Sequence, residues 1–228
     1  MDFEKFEILS FDCYGTLIDW ESGIIPVLKN LVANHQIDIT EAQLLEMFAK
    51  FESEAEAGEY KKYREVLKEV IHKISQELNF QPTESELNSL SKSIKNWLPF
   101  PDTIAALQKL KEKYQLAIIS NIDDELFADS AKHLQVEFDF VITAAQVKSY
   151  KPSKNNFEIS IQKMAIAPEK LLHIAQSIYH DIVPAKAMGL STIWVNRRQG
   201  KEGFGATLPA SGKPDLEVPD LKNLVDLI

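Results

Sequence analysis

Apolar residues follow three different rhythms along the chain. The first is a short cluster, Phe6, Ile8, Leu9 and Phe11, which predicts one buried strand ended by the break at Gly15. The second runs over residues 17–97, where apolar positions recur at helical spacing. Ile24/Val27/Leu28/Leu31, Leu44/Leu45/Phe48, Tyr63/Val66/Leu67/Val70/Ile71/Ile74/Leu78 and Leu87/Leu90/Ile94 predict helices, with no second strand among them. Thr40 before Glu41, and Thr83 three residues before Glu86, are the expected N-caps. The third begins at Pro99 and alternates helix with strand. Helices over 102–113, 124–133, 154–164 and 181–188 precede strands Leu116–Ser120, Val141–Thr143, Leu171–Ala175 and Thr192–Val195 respectively.

That alternation predicts parallel strands joined by helical crossovers, so the fold class is α/β. The expected architecture is a doubly wound, Rossmann-like parallel-sheet core made of residues 1–16 and 98–228. An all-helical cap domain, residues 17–97, is inserted directly after the first strand. Trp97-Leu98-Pro99-Phe100-Pro101 reads as the return hinge, and Gln199–Lys213, with four glycines, as a loop.

Composition narrows the partners. A chain of 228 residues with 45% hydrophobic content forms a substantial core, and a net charge of -9 supplies no basic excess for binding nucleic acid. Charges inside the apolar stretch of MDFEKFEILSF argue against a signal peptide, and no run approaches the roughly 18 apolar residues of a membrane span. The single cysteine, Cys13, forms no internal disulfide and fits a reducing cytoplasm, the expected location. Its place in the strand makes it a packing residue.

Candidate chemistry gathers at strand ends. Asp12 ends the first strand, Ser120-Asn121 the second, Lys151 follows Ser149-Tyr150, and Asp181 opens the helix after His173-Ile174-Ala175. In a parallel sheet these ends lie on one edge, where such folds bind ligands. A carboxylate there can attack carbon or phosphorus and form a covalent ester.

Taken in order, Asp12-Cys13-Tyr14-Gly15-Thr16, Ser120-Asn121, Lys151-Pro152 and Gln176-Ser177-Ile178-Tyr179-His180-Asp181 resemble the four motifs of the haloacid dehalogenase-like hydrolase superfamily. The resemblance covers essentially the whole chain. It implies Asp12 as nucleophile, Ser120 and Thr16 as hydrogen-bond donors, and Lys151 as the cation that holds the active carboxylate. Phosphatase members carry an acid two residues after the nucleophile and an acid pair in the fourth motif for Mg²⁺. Here those places hold Tyr14 and Gln176, leaving Asp12 and Asp181 as the metal ligands under a phosphatase reading. Tyr14-Gly15-Thr16 instead resembles the signature of the L-2-haloacid dehalogenases, which implies displacement of halide from a small 2-halocarboxylic acid to give a 2-hydroxy acid, with no metal or other cofactor. Asp181 is then expected to place the hydrolytic water, and Tyr14, Asn121, Ser177, Gln176, Trp20 and Tyr63 to contact the substrate. A homodimer is expected by analogy.

The pattern departs from that branch in its cap and fourth motif. The cap stretch Glu46-Met47-Phe48-Ala49-Lys50-Phe51 lacks the halide-receiving Arg, for which Lys50 and Arg64 are the available substitutes. Gln176 and Ile178 replace a Ser and an Asn, and Phe157 replaces a Tyr. A phosphatase with a degenerate site and a catalytically quiet binding protein are the alternatives. His180 and His173 read as structural, Trp97 as hinge packing, and the run Glu52–Lys68 as a solvated helix face.

Overall fold

In the computed structural model, which describes residues 1–228 in full, the chain builds one six-stranded sheet, every pairing in it parallel. The strands are β1 (Ile8–Phe11), β2 (Gln115–Ser120), β3 (Phe140–Thr143), β4 (Leu171–Ala175), β5 (Ser191–Val195) and β6 (Leu216–Val218). Their order across the sheet is β3-β2-β1-β4-β5-β6. The winding therefore runs outward from β1 in one direction through β3, then restarts at β4 on its other side. That reversal opens a crevice beyond the carboxyl ends of β1 and β4, where a doubly wound sheet takes its ligand. Phe11 pairs with Ile118 on one side and Ile174 on the other, so the residues after all three strands emerge together.

Between β1 and β2 the chain forms helices only: α1 (Trp20–Asn34), α2 (Glu41–Glu56), α3 (Tyr63–Glu77), α4 (Glu84–Leu87) and α5 (Ser89–Ser93). Thr40 and Thr83 each close a capping box, with Gln43 and Glu86 as the reciprocal partners. The crossovers are α6 (Thr103–Lys111), α7 (Asp124–Leu134), α8 (Ala144–Val147), α9 (Asn155–Met164) and α10 (Val183–Ala187), and the chain ends in α11 (Leu221–Val225).

Alternating strand residues face two apolar layers. Leu9 and Phe11 join a continuous cluster that runs through Ile24, Phe48, Leu67 and Val70, so the helical insertion and one face of the sheet share a core. Ile8, Ala117 and Ile119 face the opposite way, against Phe157 and Leu171. Trp97 packs so closely on Gly23 of α1 that no side chain larger than glycine's fits there, which ties the returning chain to the first helix of the insertion.

Two regions differ from expectation. The helix read over 181–188 begins earlier, with a π turn over Ile178–Ile182, because the Ser177 hydroxyl accepts the His180 N–H at 2.9 Å and caps the turn there. Asp181 thus lies inside that turn and does not open a helix. Residues 216–225 add β6 and α11, elements too short for a periodicity to register. No helix is long and apolar enough to cross a membrane.

Candidate active site

The floor of the site is built from strand ends. Asp12 directly follows β1, and its N–H donates to Ile174 O at 3.1 Å, so the backbone is fixed by the neighbouring strand. Gly15, at φ +91°, turns the chain back; a Cβ there would stand 2.9 Å from Trp20 Nε1, so both conformation and space call for glycine. The turn returns Thr16 to Asp12, where its hydroxyl donates to Oδ2 at 2.8 Å while accepting from Gln176 N at 2.9 Å.

Lys151 spends all three ammonium donors: on Asp12 Oδ1 at 2.9 Å, Asp181 Oδ1 at 2.6 Å and Ile119 O at 2.9 Å. Asn121 fixes its backbone, accepting from Lys151 N at 2.7 Å and donating to Lys151 O at 3.0 Å. Behind Asp181, the buried His173 donates Nε2–H to Oδ1 at 2.8 Å, and its Nδ1 lies 2.9 Å from the Ser10 hydroxyl. The carboxylate fixes this tautomer, which leaves Nδ1 to accept from Ser10. His173 is thus a structural residue with a definite task, holding Asp181 against Lys151.

One ammonium shared by two carboxylates separates their titrations. Burial pushes Asp12 up, and Lys151, Thr16 and their hydrogen bonds only partly offset it. Burial also acts on Asp181, yet Lys151 and His173 outweigh it and hold that carboxyl low. Burial works against the Lys151 ammonium, but the two carboxylates more than compensate and the net shift is upward.

The roof comes from the helical insertion. Tyr14 and Trp20 supply apolar walls, and the Tyr14 hydroxyl is drawn away to Ser130 Oγ at 2.8 Å. The remaining roof residues overturn the reading of Glu52–Lys68 as a solvated face: Glu52, Glu56 and Tyr63 all line the cavity, and Glu52 is 3% exposed. The Tyr63 hydroxyl donates to Glu52 Oε1, and Asn121 Nδ2 donates to Glu56 Oε2 at 3.1 Å. The N-terminus of α3 is capped from the core, where the buried Asp123 accepts from the N–H groups of Tyr63 and Arg64. Burial and Asp12 push Glu52 up to about 8, even though the Tyr63 hydroxyl stabilises its anion. Burial, then Glu52, drives Glu56 well above the usual carboxylate range. His180 is held down to about 4 by burial and is neutral at neutral pH.

Between floor and roof lies a small cavity of about 30 Å³, room for only a few atoms beyond a water. Four polar atoms of its lining are buried without a partner: Ser120 Oγ, Glu56 Oε1, His180 Nε2 and Asp181 Oδ2. Of the residues singled out in the sequence, Asp12, Tyr14, Trp20, Tyr63, Ser120, Asn121, Lys151, Ser177 and Asp181 line this cavity. Gln176 does not; its backbone props Thr16 and its Oε1 lies 3.4 Å from the Thr207 hydroxyl. Lys50 and Arg64 also stay outside, Lys50 lying over the Phe51 ring and the half-exposed Arg64 beside Asp123. Phe157 is buried edge-on against His173. Glu52, Glu56, His180 and Thr207 are lining residues that sequence reasoning missed or discounted. For the glutamates a signal existed, since helical spacing puts them on the stripe of Leu45, Phe48 and Ala49. No three His, Cys, Asp or Glu side chains stand where they could hold a metal together.

The molecule thus combines a doubly wound α/β sheet with an aspartate–lysine–aspartate cluster at its central strand ends, and the comparisons place that combination among the hydrolases. The haloacid dehalogenase-like hydrolase family matches residues 9–195, and the chain belongs to it. Haloacetate dehalogenase of Moraxella sp. (strain B) is 26% identical, with 99% of each chain covered. (S)-2-haloacid dehalogenase of Pseudomonas putida is 28% identical, with 98% of each covered. The solved L-2-haloacid dehalogenase of Xanthobacter autotrophicus shares the fold at a TM-score of 0.80 and 20% identity, over 97% of this chain and 98% of that one.

Proposed function

We propose that the chain hydrolyses a small 2-halocarboxylic acid to the 2-hydroxy acid through an ester on Asp12, with no metal or other cofactor. One observation carries this reading: Asp12 has one oxygen on Lys151 and the other on Thr16, at the strand end, beneath an apolar wall. An oxygen of Asp12 attacks the carbon bearing the halogen, the C–O bond forms as the carbon–halogen bond breaks, and the electron pair leaves with halide. The Ser120 hydroxyl, buried and unpartnered, is available to the substrate carboxylate. The neutral ring of Tyr14 faces the haloalkyl group, and halide needs no carboxylic acid at that position.

In the second step water adds to the Asp12 ester carbonyl and the 2-hydroxy acid departs. Asp181 Oδ2, free while Oδ1 is committed to Lys151 and His173, accepts the hydrogen bond that orients the water. Overall, one water is consumed, and one halide and one proton are released. The small cavity favours short-chain acids, in keeping with the names of the two curated relatives.

The test is halide release from L-2-chloropropionate beside p-nitrophenyl phosphate hydrolysis with Mg²⁺ and with EDTA, using the wild type and Asp12→Asn. The expected result is halide release in the wild type only, and an ester mass increment on the Asp12 peptide during turnover. Metal-dependent phosphate release without halide release overturns the reading.

A further inference from the structure

The cavity holds two carboxyls from the insertion and no cation to match them. Glu52 and Glu56 lie one helical turn apart on α2, Glu52 buried and Glu56 half-buried with its side chain 5% exposed. The one ammonium lining the cavity, Lys151, has all its protons on Asp12, Asp181 and Ile119 O. The groups facing Glu56 can be named in full. They are Glu52 on its own helix, Tyr63 on α3, Asp12 after β1, Tyr150 and Lys151 on the segment after α8, and His180 and Asp181 in the π turn, together with Tyr60, Tyr179 and Lys148 around a neighbouring pocket that Glu56 also lines, where the Lys148 ammonium lies over the Tyr60 ring and forms no ion pair with Glu56. His180 Nε2 is 3.8 Å from Glu56 Oε2, and too far for a hydrogen bond. Two adjacent buried carboxyls without a counter-ion do not both ionise, so the pair retains a proton.

The geometry selects where that proton acts. Glu52 Oε1 is occupied by the Tyr63 hydroxyl, and Glu56 Oε2 by Asn121. Glu56 Oε1 is buried and has no partner, and Glu56 is among the residues that line the cavity. A neutral carboxylic acid there is a hydrogen-bond donor, a use proteins make of carboxyls kept protonated by apolar surroundings.

We infer that the Glu56 carboxyl receives the departing halide, its Oε1–H donating a hydrogen bond to the leaving atom as Asp12 attacks. This rests on the dehalogenase reading above and names the leaving-group half of the site. The proton stays on Glu56: the C–O bond to Asp12 forms, the carbon–halogen bond breaks, and halide leaves hydrogen-bonded to an intact acid. The upward displacement of both glutamates is consistent with this state. A donor of this kind matters most for fluoride, the poorest leaving group and strongest acceptor of the halides, and least for bromide.

The experiment compares wild type, Glu56→Gln and Glu56→Leu on 2-fluoro-, 2-chloro- and 2-bromopropionate, with thermal melts to confirm folding. Glu56→Leu is expected to lose about a hundredfold in kcat on fluoride, about tenfold on chloride and less on bromide, the range of one lost donor. Glu56→Gln keeps an N–H donor and is expected to lose less on every substrate. The wild-type rate is expected to fall at alkaline pH as Glu56 gives up its proton, and Glu56→Gln to lose that fall. If the wild type releases halide but both variants keep its halide order and its alkaline limb, the assignment of Glu56 is overturned and the dehalogenase reading stands. If the wild type releases no halide from any of the acids, both fall together.

Discussion

The floor and the roof of the cavity treat buried charge in opposite ways. On the floor, Asp12 and Asp181 share Lys151, and every one of its protons has an acceptor. On the roof, the buried Glu52 and the half-buried Glu56 are hydrogen-bonded by a phenol and an amide and stand near a neutral imidazole, with no cation paired to either. The floor is thus an ionised cluster held by its own pairing. The roof stays neutral because an uncompensated charge there would be costly. The contrast separates two surfaces: carboxylates paired to a shared cation below, and carboxyls without a counter-ion above.

The largest effect is expected from breaking the floor. Lys151→Met fills similar volume but leaves Asp12 and Asp181 buried without their shared cation. Removing one partner of a buried charge cluster costs about 3–5 kcal/mol, so urea denaturation at pH 7.5 should show a loss of that order. The sign with pH follows: both carboxyls rise in the folded variant, the folded state then binds more protons than the unfolded, and lowering the pH restores stability. Halide release should fall by at least about a hundredfold, since the nucleophile loses its electrostatic support. A variant as stable as the wild type at pH 7.5 would show that the cluster is not the charged unit described above.

A smaller effect with the opposite logic is expected from the roof. Glu52 moves from an ordinary 4.5 to about 8 on folding. Between those values the folded state holds a proton that the unfolded state has released, so this group subtracts stability as pH rises from about 4.5 to 8. Glu52→Gln keeps the acceptor for Tyr63 and removes the titration. The difference in Tm, variant minus wild type, should therefore grow steadily over that interval and level off above it. A gain of roughly 2–4 °C corresponds to each 1 kcal/mol in a chain of this size. A pH-independent difference would mean that Glu52 is ionised and compensated, and the contrast between floor and roof would disappear.

The same contrast explains what the sequence made legible. The floor was readable because strand ends are ordered by topology: once β1, β2 and β4 are recognised as parallel neighbours, Asp12, Ser120 and Gln176 must emerge side by side, and the motif spacing adds Lys151 and Asp181. The family match, too, runs over the segment that carries these residues. The roof was not readable in this way, since which helical face meets the site depends on how α2 and α3 dock. The acidic character of Glu52 and Glu56 pointed to solvent, and only the packing of α2 against α3 and of Trp20 against Phe48 turns them inward. Ile178 and Gln176 mark the intermediate case. Their sequence positions were identified, but the π turn over Ile178–Ile182 decides what they touch, and Gln176 ends up supporting Thr16.

Tyr14 belongs to both surfaces and gives the finest test of the division. Tyr14 lines the cavity and its ring meets Trp97 edge-on at 5.9 Å, whereas its hydroxyl is 2.8 Å from Ser130 Oγ on α7. Burial raises the phenol well above its ordinary range, so it stays neutral and directed away from the reacting atoms. Tyr14→Phe therefore keeps the wall and removes only a buried hydrogen bond. The expected cost is about 1–2 kcal/mol in stability, because the Ser130 hydroxyl is left unpaired, with kcat/KM for 2-chloropropionate changed by no more than roughly threefold, well under the tenfold that 1.4 kcal/mol of barrier would give. Adding Ser130→Ala should recover part of the stability, since both partners are then gone. A tenfold or greater fall in kcat at unchanged stability would place the hydroxyl in the chemistry and make Tyr14 an acid of the site.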